Sequence, residues 1–380
     1  MKKRSVKSET IVFSYLLLVI LILYPAVISA QTDCMHDPLF IVGGRVNRGF
    51  IIQHTKKLKD EVTQSNPWSL EAEAIWHLRK RGVWDYCFCY PRTGIALNYT
   101  NFDLPDVLGS AISAYPFIEP FIRAEKPLNF SFRFGMGPSY LTKVYDSITN
   151  PDNLFFSARI SFFLAARFSI HYRFTDHLSI RLDGSFNHIS NSGYKEPNLG
   201  CNFPSVNLGV DYSLNRMIFE DREKDRDVVL NPKKNRVDLA FGMSAKPTAH
   251  GKDTRYPVFV VYTSYSRVVG RILAVTAGAE WVNDRSVRQV IRDDDRRDSS
   301  GNYIDHNRVG ALLGVDWLFG RFIFYQQFGY YLYAPQKAKT TLYQRYGLNF
   351  KLTDYLYTGL NIKAHSQDAD FMDLRFGVYF

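Results

Sequence analysis

Past its first thirty residues the chain contains no apolar run of eighteen, which argues against a helical membrane protein. Cysteine is scarce: Cys34, Cys87, Cys89 and Cys201 are too few for a disulfide scaffold across 380 residues. Methionine is scarcer than aromatics, with 6 Met against 24 Tyr and 29 Phe, a balance that leans toward strands. Several catalytic signatures are missing. There is no G-x-S-x-G elbow, no H-E-x-x-H and no glycine-rich phosphate loop. A chain that is 46% hydrophobic is not disordered either. No nucleic-acid partner, metal or other cofactor is expected.

The one long apolar stretch is N-terminal. Lys2, Lys3, Arg4 and Lys7 precede an apolar segment from Ile11 to Tyr24, and Ile28-Ser29-Ala30 ends in a small residue. This is the pattern of a secretory signal peptide over residues 1–30, cleaved near Ala30. Its loss takes about three positive charges from a formal net charge of +10. The expected destination is the outer membrane of a Gram-negative cell.

The rest of the chain has period two. Even positions from Phe156 to Tyr172 are all apolar, while Ser157, Arg159, Ser161, Arg167, Ser169 and His171 occupy odd ones. Leu178, Ile180, Leu182 and Phe186 repeat the pattern against Ser179, Arg181, Asp183 and Ser185. Long strands with full charges on one face indicate an all-β transmembrane antiparallel barrel. Met372, Leu374, Phe376, Val378 and Phe380 carry an apolar stripe to the last residue. That ending resembles the signal by which outer-membrane barrels engage the barrel-assembly machinery. Counting segments gives about 14–16 strands in one barrel over 31–380. Turns at 174–176, 318–320 and 352–354 fall on the periplasmic side, and long links at 142–155, 191–202, 285–306 and 333–339 on the outer side. The charged link 215–235 breaks the rule by falling in the periplasm. Cys87 and Cys89 read as two thiols on one strand face, without an assigned role and not as a pair. The run Arg292 to Asp298 reads as a solvated outer loop.

One constellation carries chemistry. His188 and Ser190 are two apart and share the parity of the lipid-facing stripe. Polar groups are costly there unless they border the headgroups or have work to do. An imidazole beside a serine can take its proton and return it to a leaving group, provided a third group holds the ring. By parity that group is Asn202 on the next strand. Glu196, in the intervening loop, is the alternative. Backbone N–H groups after Ser190, with Asn191, Gly193 and Asn198, are the expected oxyanion or supporting groups.

The string from His188 to Asn202, with its H-x-S-N and P-N-x-G elements, resembles the active-site segment of the lipid A 3-O-deacylase (PagL-like, acyloxyacyl hydrolase) family. Tyr90-Pro91-Arg92-Thr93-Gly94 and Phe132-Arg133-Phe134-Gly135-Met136-Gly137 look like its longer branch. The likeness covers about residues 40–215, and 216–380 would then be additional barrel strands. It implies Ser190 as nucleophile and His188 as base, acting on an ester-linked acyl chain of lipid A in the outer leaflet. The family pattern has Glu where this chain has Asn202. The same segment also resembles outer-membrane phospholipase A, with a Ser-His-Asn triad; that alternative implies phospholipid as substrate and a calcium requirement. A third alternative is a non-enzymatic, porin-like barrel, for which the charged interior speaks.

Overall fold

The computed structural model describes residues 38–226, 230, 233–248, 254–336, 340–366 and 368–380. The expected leader lies outside these. Strands β1 (Leu39–Gly49), β2 (Trp68–His77), β3 (Arg92–Asn101), β4 (Ser110–Glu119), β5 (Phe121–Ile122), β6 (Leu128–Leu141), β7 (Ile160–Arg173), β8 (Leu178–Ser190) and β9 (Cys201–Ser213) form one antiparallel sheet. β1 pairs with β9, and β4 pairs with β6 as Ala111 to Leu141 and Phe117 to Gly135. Eight long strands therefore close on themselves, with β5 a short extension. A second ring follows: β10 (Asn235–Pro247), β11 (Arg255–Val268), β12 (Leu273–Asp284), β13 (Asn307–Phe319), β14 (Phe322–Tyr333), β15 (Leu342–Lys351), β16 (Leu356–His365) and β17 (Asp368–Tyr379). Among the described residues no helix is long and apolar enough to cross a membrane.

The all-β transmembrane architecture and a count of sixteen long strands hold, but the closure differs from a single ring: there are two eight-stranded barrels. Alternation along a strand is identical in a ring of eight and a ring of sixteen, so the sequence pattern does not distinguish them. Side-chain volume does. Eight strands enclose a lumen that side chains can fill, and here they fill it. In the first barrel Arg45, Arg92, Arg133, Arg167 and Arg181 face Glu71, Glu73, Glu119, Asp183 and Asp211, all buried. Arg133 lies 2.8 Å from both Glu73 and Glu119, Arg45 lies 2.6 Å from Asp183, and Arg167 lies 2.5 Å from Glu71. Five guanidinium groups against five carboxylates leave the lumen neutral. The second barrel is filled by Tyr262, Tyr325, Tyr343 and Tyr357 around Glu280, Arg345, Lys363, Asp373 and Arg375.

The two rings also account for the misplaced link. Residues 214–234 join one barrel to the next, so they need not be a short turn. Their first part lies against the mouth of the first barrel opposite the loop 191–200. Met217 is buried, Phe219 packs 4.6 Å from the His77 ring and 5.3 Å from that of Tyr90, and the Tyr90 hydroxyl donates to the Glu220 carbonyl at 2.8 Å. Residues 81–87 form a short helix here, α2 (Arg81–Cys87), after the one-turn α1 (Asp60–Thr63). Cys87 and Cys89 are joined as a disulfide, contrary to the strand reading. The helix ends at Phe88 in the left-handed region, φ 51°, and this reversal brings the two Cα atoms to 5.1 Å. A strand keeps residues i and i+2 farther apart.

Outward faces carry the apolar stripes: Leu182, Phe186, Val206 and Leu208 on β8 and β9, and Leu374 and Phe376 on β17, all exposed. β17 pairs with β10 to close the second ring, and Phe380 exchanges backbone hydrogen bonds with Val237 at 2.9 and 3.2 Å. On the outer side, the 285–306 link begins with a helix, α3 (Arg285–Asp293), capped by the Asp284 carboxylate, which accepts from the Ser286 and Val287 N–H groups. Residues 292–298, which start in the last turn of this helix and run into the loop beyond it, are exposed.

Candidate active site

β8 and β9 are joined at their outer ends by the loop 191–200, and their register sets His188 directly opposite Asn202. Odd residues Asn187 and Ile189 point into the lumen and are buried, so the even residues His188 and Ser190 face outward. The His188 Nε2 lies 2.9 Å from the Ser190 Oγ. Its Nδ1 lies 2.6 Å from the Asn202 Oδ1. Because an amide oxygen only accepts, Nδ1 carries the proton, and Nε2 presents a lone pair to the hydroxyl. Ser190, His188 and Asn202 thus form one continuous hydrogen-bonded line.

Glu196 is not in it. Its carboxylate accepts from the Asn198 N–H at 3.1 Å, at the exposed tip of the loop. The supporting residues divide by role. The Asn191 N–H donates to the Asn198 Oδ1 at 3.0 Å, and its buried side-chain amide donates to the Ser157 Oγ at 2.9 Å and the Lys195 carbonyl at 2.8 Å. These bonds occupy Asn191 inside the loop, where it holds the backbone that follows Ser190. Gly193 sits at φ +77°, which favours glycine. Ser192 shares that region at φ +54°. The Asn191 N–H is thus committed to Asn198, and the positive-φ turn follows it at Ser192 and Gly193.

Two participants were not singled out from sequence. Gly200, at φ +67°, lies against the imidazole: a Cβ there would stand 2.8 Å from the His188 Cε1 and 3.3 Å from the Ser190 Cβ. Its signal was present, as the last residue of Pro197-Asn198-Leu199-Gly200. His54, in the outer link after β1, lies with Nε2 3.0 Å from the Leu199 carbonyl and Nδ1 3.2 Å from the Ile52 carbonyl. The Ile52 N–H in turn donates to the Asn202 carbonyl at 2.9 Å. Nothing in its local sequence marks His54, since the contact depends on β1 closing the barrel onto β9. Among the described residues no group of three or more His, Cys, Asp or Glu side chains is placed to hold a metal ion.

A serine hydroxyl hydrogen-bonded to an imidazole, on the outward face of a barrel, is an arrangement suited to acyl transfer. Comparison with known families agrees on the class. Residues 69–211 match the model described as lipid A 3-O-deacylase (PagL), and residues 235–380 match that described as acyloxyacyl hydrolase, C-terminal domain. The chain belongs to this family of acyl-ester hydrolases, with one model on each barrel. No curated protein matches the chain. Among solved structures, the outer membrane enzyme PagL is similar at 14% identity and a TM-score of 0.33, over 44% of this chain and 97% of that one. Neisserial surface protein A is similar at 10% identity and a TM-score of 0.29, over 46% and 97%. A Rhodopseudomonas blastica porin mutant is similar at 7% identity and a TM-score of 0.17, over 90% and 99%. At such scores none of these bears on function.

Proposed function

We propose that the protein removes an ester-linked acyl chain from lipid A in the outer leaflet of the outer membrane, with Ser190 as nucleophile, His188 as general base and then acid, and Asn202 as the group that fixes the ring. The observation that carries this is the unbroken line Ser190 Oγ, His188 Nε2, His188 Nδ1, Asn202 Oδ1, at 2.9 and 2.6 Å, on the outward face of a membrane barrel. In the first step Nε2 takes the hydroxyl proton as Oγ attacks the ester carbonyl. The resulting oxyanion meets the backbone N–H groups of Ser192 and Gly193, since that of Asn191 is donated to Asn198. Collapse expels the sugar alkoxide, which receives the proton from Nε2 and leaves Ser190 acylated. Water, deprotonated by the same nitrogen, then releases the fatty acid and restores the serine. An acyl chain bound to this carbonyl has the exposed stripe of Phe186, Val206, Leu182 and Leu208 to lie along, inside the bilayer.

The amide at Asn202 favours one second reading, a phospholipase acting on the same leaflet. Purified protein assayed on lipid A and on phospholipid micelles, each with and without calcium, separates the two. Release of fatty acid from lipid A without calcium, abolished by Ser190→Ala, is expected. Hydrolysis of phospholipid alone, and only with calcium, would replace the deacylase by the phospholipase.

A further inference from the structure

We infer that the second barrel is part of the hydrolytic machinery: its outer rim holds the loop 191–200 in the conformation the site needs, with Arg255 as the positioning residue. This rests on the acyl-hydrolase reading of Ser190 above. The loop bridges the strands that carry the triad, and it makes two contacts with the second barrel. The Arg255 guanidinium, at the start of β11, donates through Nη2 to the Tyr194 carbonyl at 2.5 Å. It also lies over the Tyr194 ring, 3.6 Å from the centroid. Beside it, Gly193 faces the start of β17: a Cβ there would stand 3.3 Å from the Ala369 carbonyl oxygen and 3.5 Å from that of Asp370. The first barrel's own hold on this loop reaches residues 191, 195, 198 and 199, through Asn191, Ser157, the Leu154 carbonyl and His54, on the side away from Arg255.

The consequence is chemical. Residues 192 and 193 form the turn whose N–H groups would face the oxyanion, and Gly200, at the loop's other end, leaves the imidazole the space that a Cβ would take. Ser192 and Gly193, two positive-φ residues in succession, lie between the Asn191 anchor and Tyr194, and the Ser192 conformation is a strained one for a residue with a Cβ. A cation–π contact plus a charge-assisted hydrogen bond at Tyr194 fixes it from outside. Loss of this hold lets the donors drift while leaving Ser190, His188 and Asn202 on their paired strands. Misplacement on the ångström scale is enough to slow such a reaction by one to two orders of magnitude. Transition-state stabilisation suffers rather than substrate affinity, so kcat falls and KM does not.

The test uses the full-length protein in detergent, with heat-modifiable gel migration as the control for folding. Arg255→Ala is expected to lower kcat on the acyl ester about tenfold or more with KM within about twofold. Arg255→Lys, which keeps a cation over the ring, is expected to recover part of the loss. Tyr194→Ala, which removes the ring but keeps the carbonyl that Arg255 donates to, is expected to cost a smaller factor, and the double variant no more than Arg255→Ala alone, since Arg255→Ala already breaks both contacts. The rate at which an organophosphonate modifies Ser190 should fall in parallel. Unchanged kcat in folded Arg255→Ala, a loss confined to KM, or fully additive losses would overturn the inference. Ser190→Ala run alongside separates the two levels: if it stays active the acyl-hydrolase reading fails, and if it is dead while Arg255→Ala is fully active only the role of the second barrel fails.

Discussion

The His188 ring is held from three sides, by Asn202, by Ser190 and by the bare Cα of Gly200. Each makes a separate demand on a variant. His188→Ala and Ser190→Ala should each abolish hydrolysis with gel migration intact, and their losses should not add, because they act as one unit. Asn202→Ala should lower kcat by about 10- to 100-fold, the range set by losing the ring's orientation but not the base itself. Asn202→Asp, with the same reach, should keep most of the activity, since a carboxylate accepts the same N–H and better stabilises imidazolium. Glu196→Ala should change kcat by less than about twofold, because its carboxylate serves the Asn198 N–H at the loop tip and not the His188 ring. Initial rates on one acyl-ester substrate order these variants, and a Glu196→Ala defect larger than that of Asn202→Ala would move the orienting role to the loop. At Gly200, Ala adds strain of about 1 kcal/mol from its positive φ. It also places a methyl on the imidazole edge, so kcat should fall in a protein that still folds.

At the scale of the element, alternation made much of this site legible. The parity of His188, Ser190 and Asn202 is a property of two strands, and it gave both the outward face and the cross-strand partner. The register that sets 188 opposite 202 is fixed once the loop length is known. Contacts made through closure were not legible. His54 reaches Leu199 because β1 lies beside β9, and Arg255 reaches Tyr194 across two barrels. Neither distance in the chain leaves a trace in local pattern. The disulfide was missed for a related reason: two cysteines at i and i+2 look alike on a strand and at a helix end, and only the left-handed turn at Phe88 brings them together. The buried charges supply an element-scale test. Arg133 joins β6 to β2 and β4 through Glu73 and Glu119. Removing it leaves Glu73 with Arg45 and Arg181, but leaves the buried Glu119 with only His171 and Ser131 beside it. Arg133→Ala should therefore destabilise the first barrel by about 3–5 kcal/mol, read as a lower urea midpoint of the folded, detergent-solubilised protein.

For the whole molecule, the chain builds two narrow barrels where sixteen strands in one ring would enclose a pore. The lumens are occupied by side chains such as Arg167, Arg181, Arg345 and Arg375, each with no more than about 1% of its surface exposed. A conducting channel would instead leave such charges facing water. Planar bilayers containing the purified protein should accordingly show no steady ohmic conductance, and stable steps of porin size would contradict the filled-lumen architecture. The division of labour we propose is a first barrel carrying the triad and a second whose rim holds the loop beside it. All of this turns on whether the outward-facing Ser190 cuts an acyl ester of lipid A. Mass spectrometry of lipid A from cells that make the wild-type protein, compared with cells that make folded Ser190→Ala at the same level, asks that directly. The account predicts lipid A lighter by one ester-linked acyl chain with the wild type and unaltered lipid A with the variant. Identical lipid A spectra from both, with both proteins folded in the outer membrane, would contradict it.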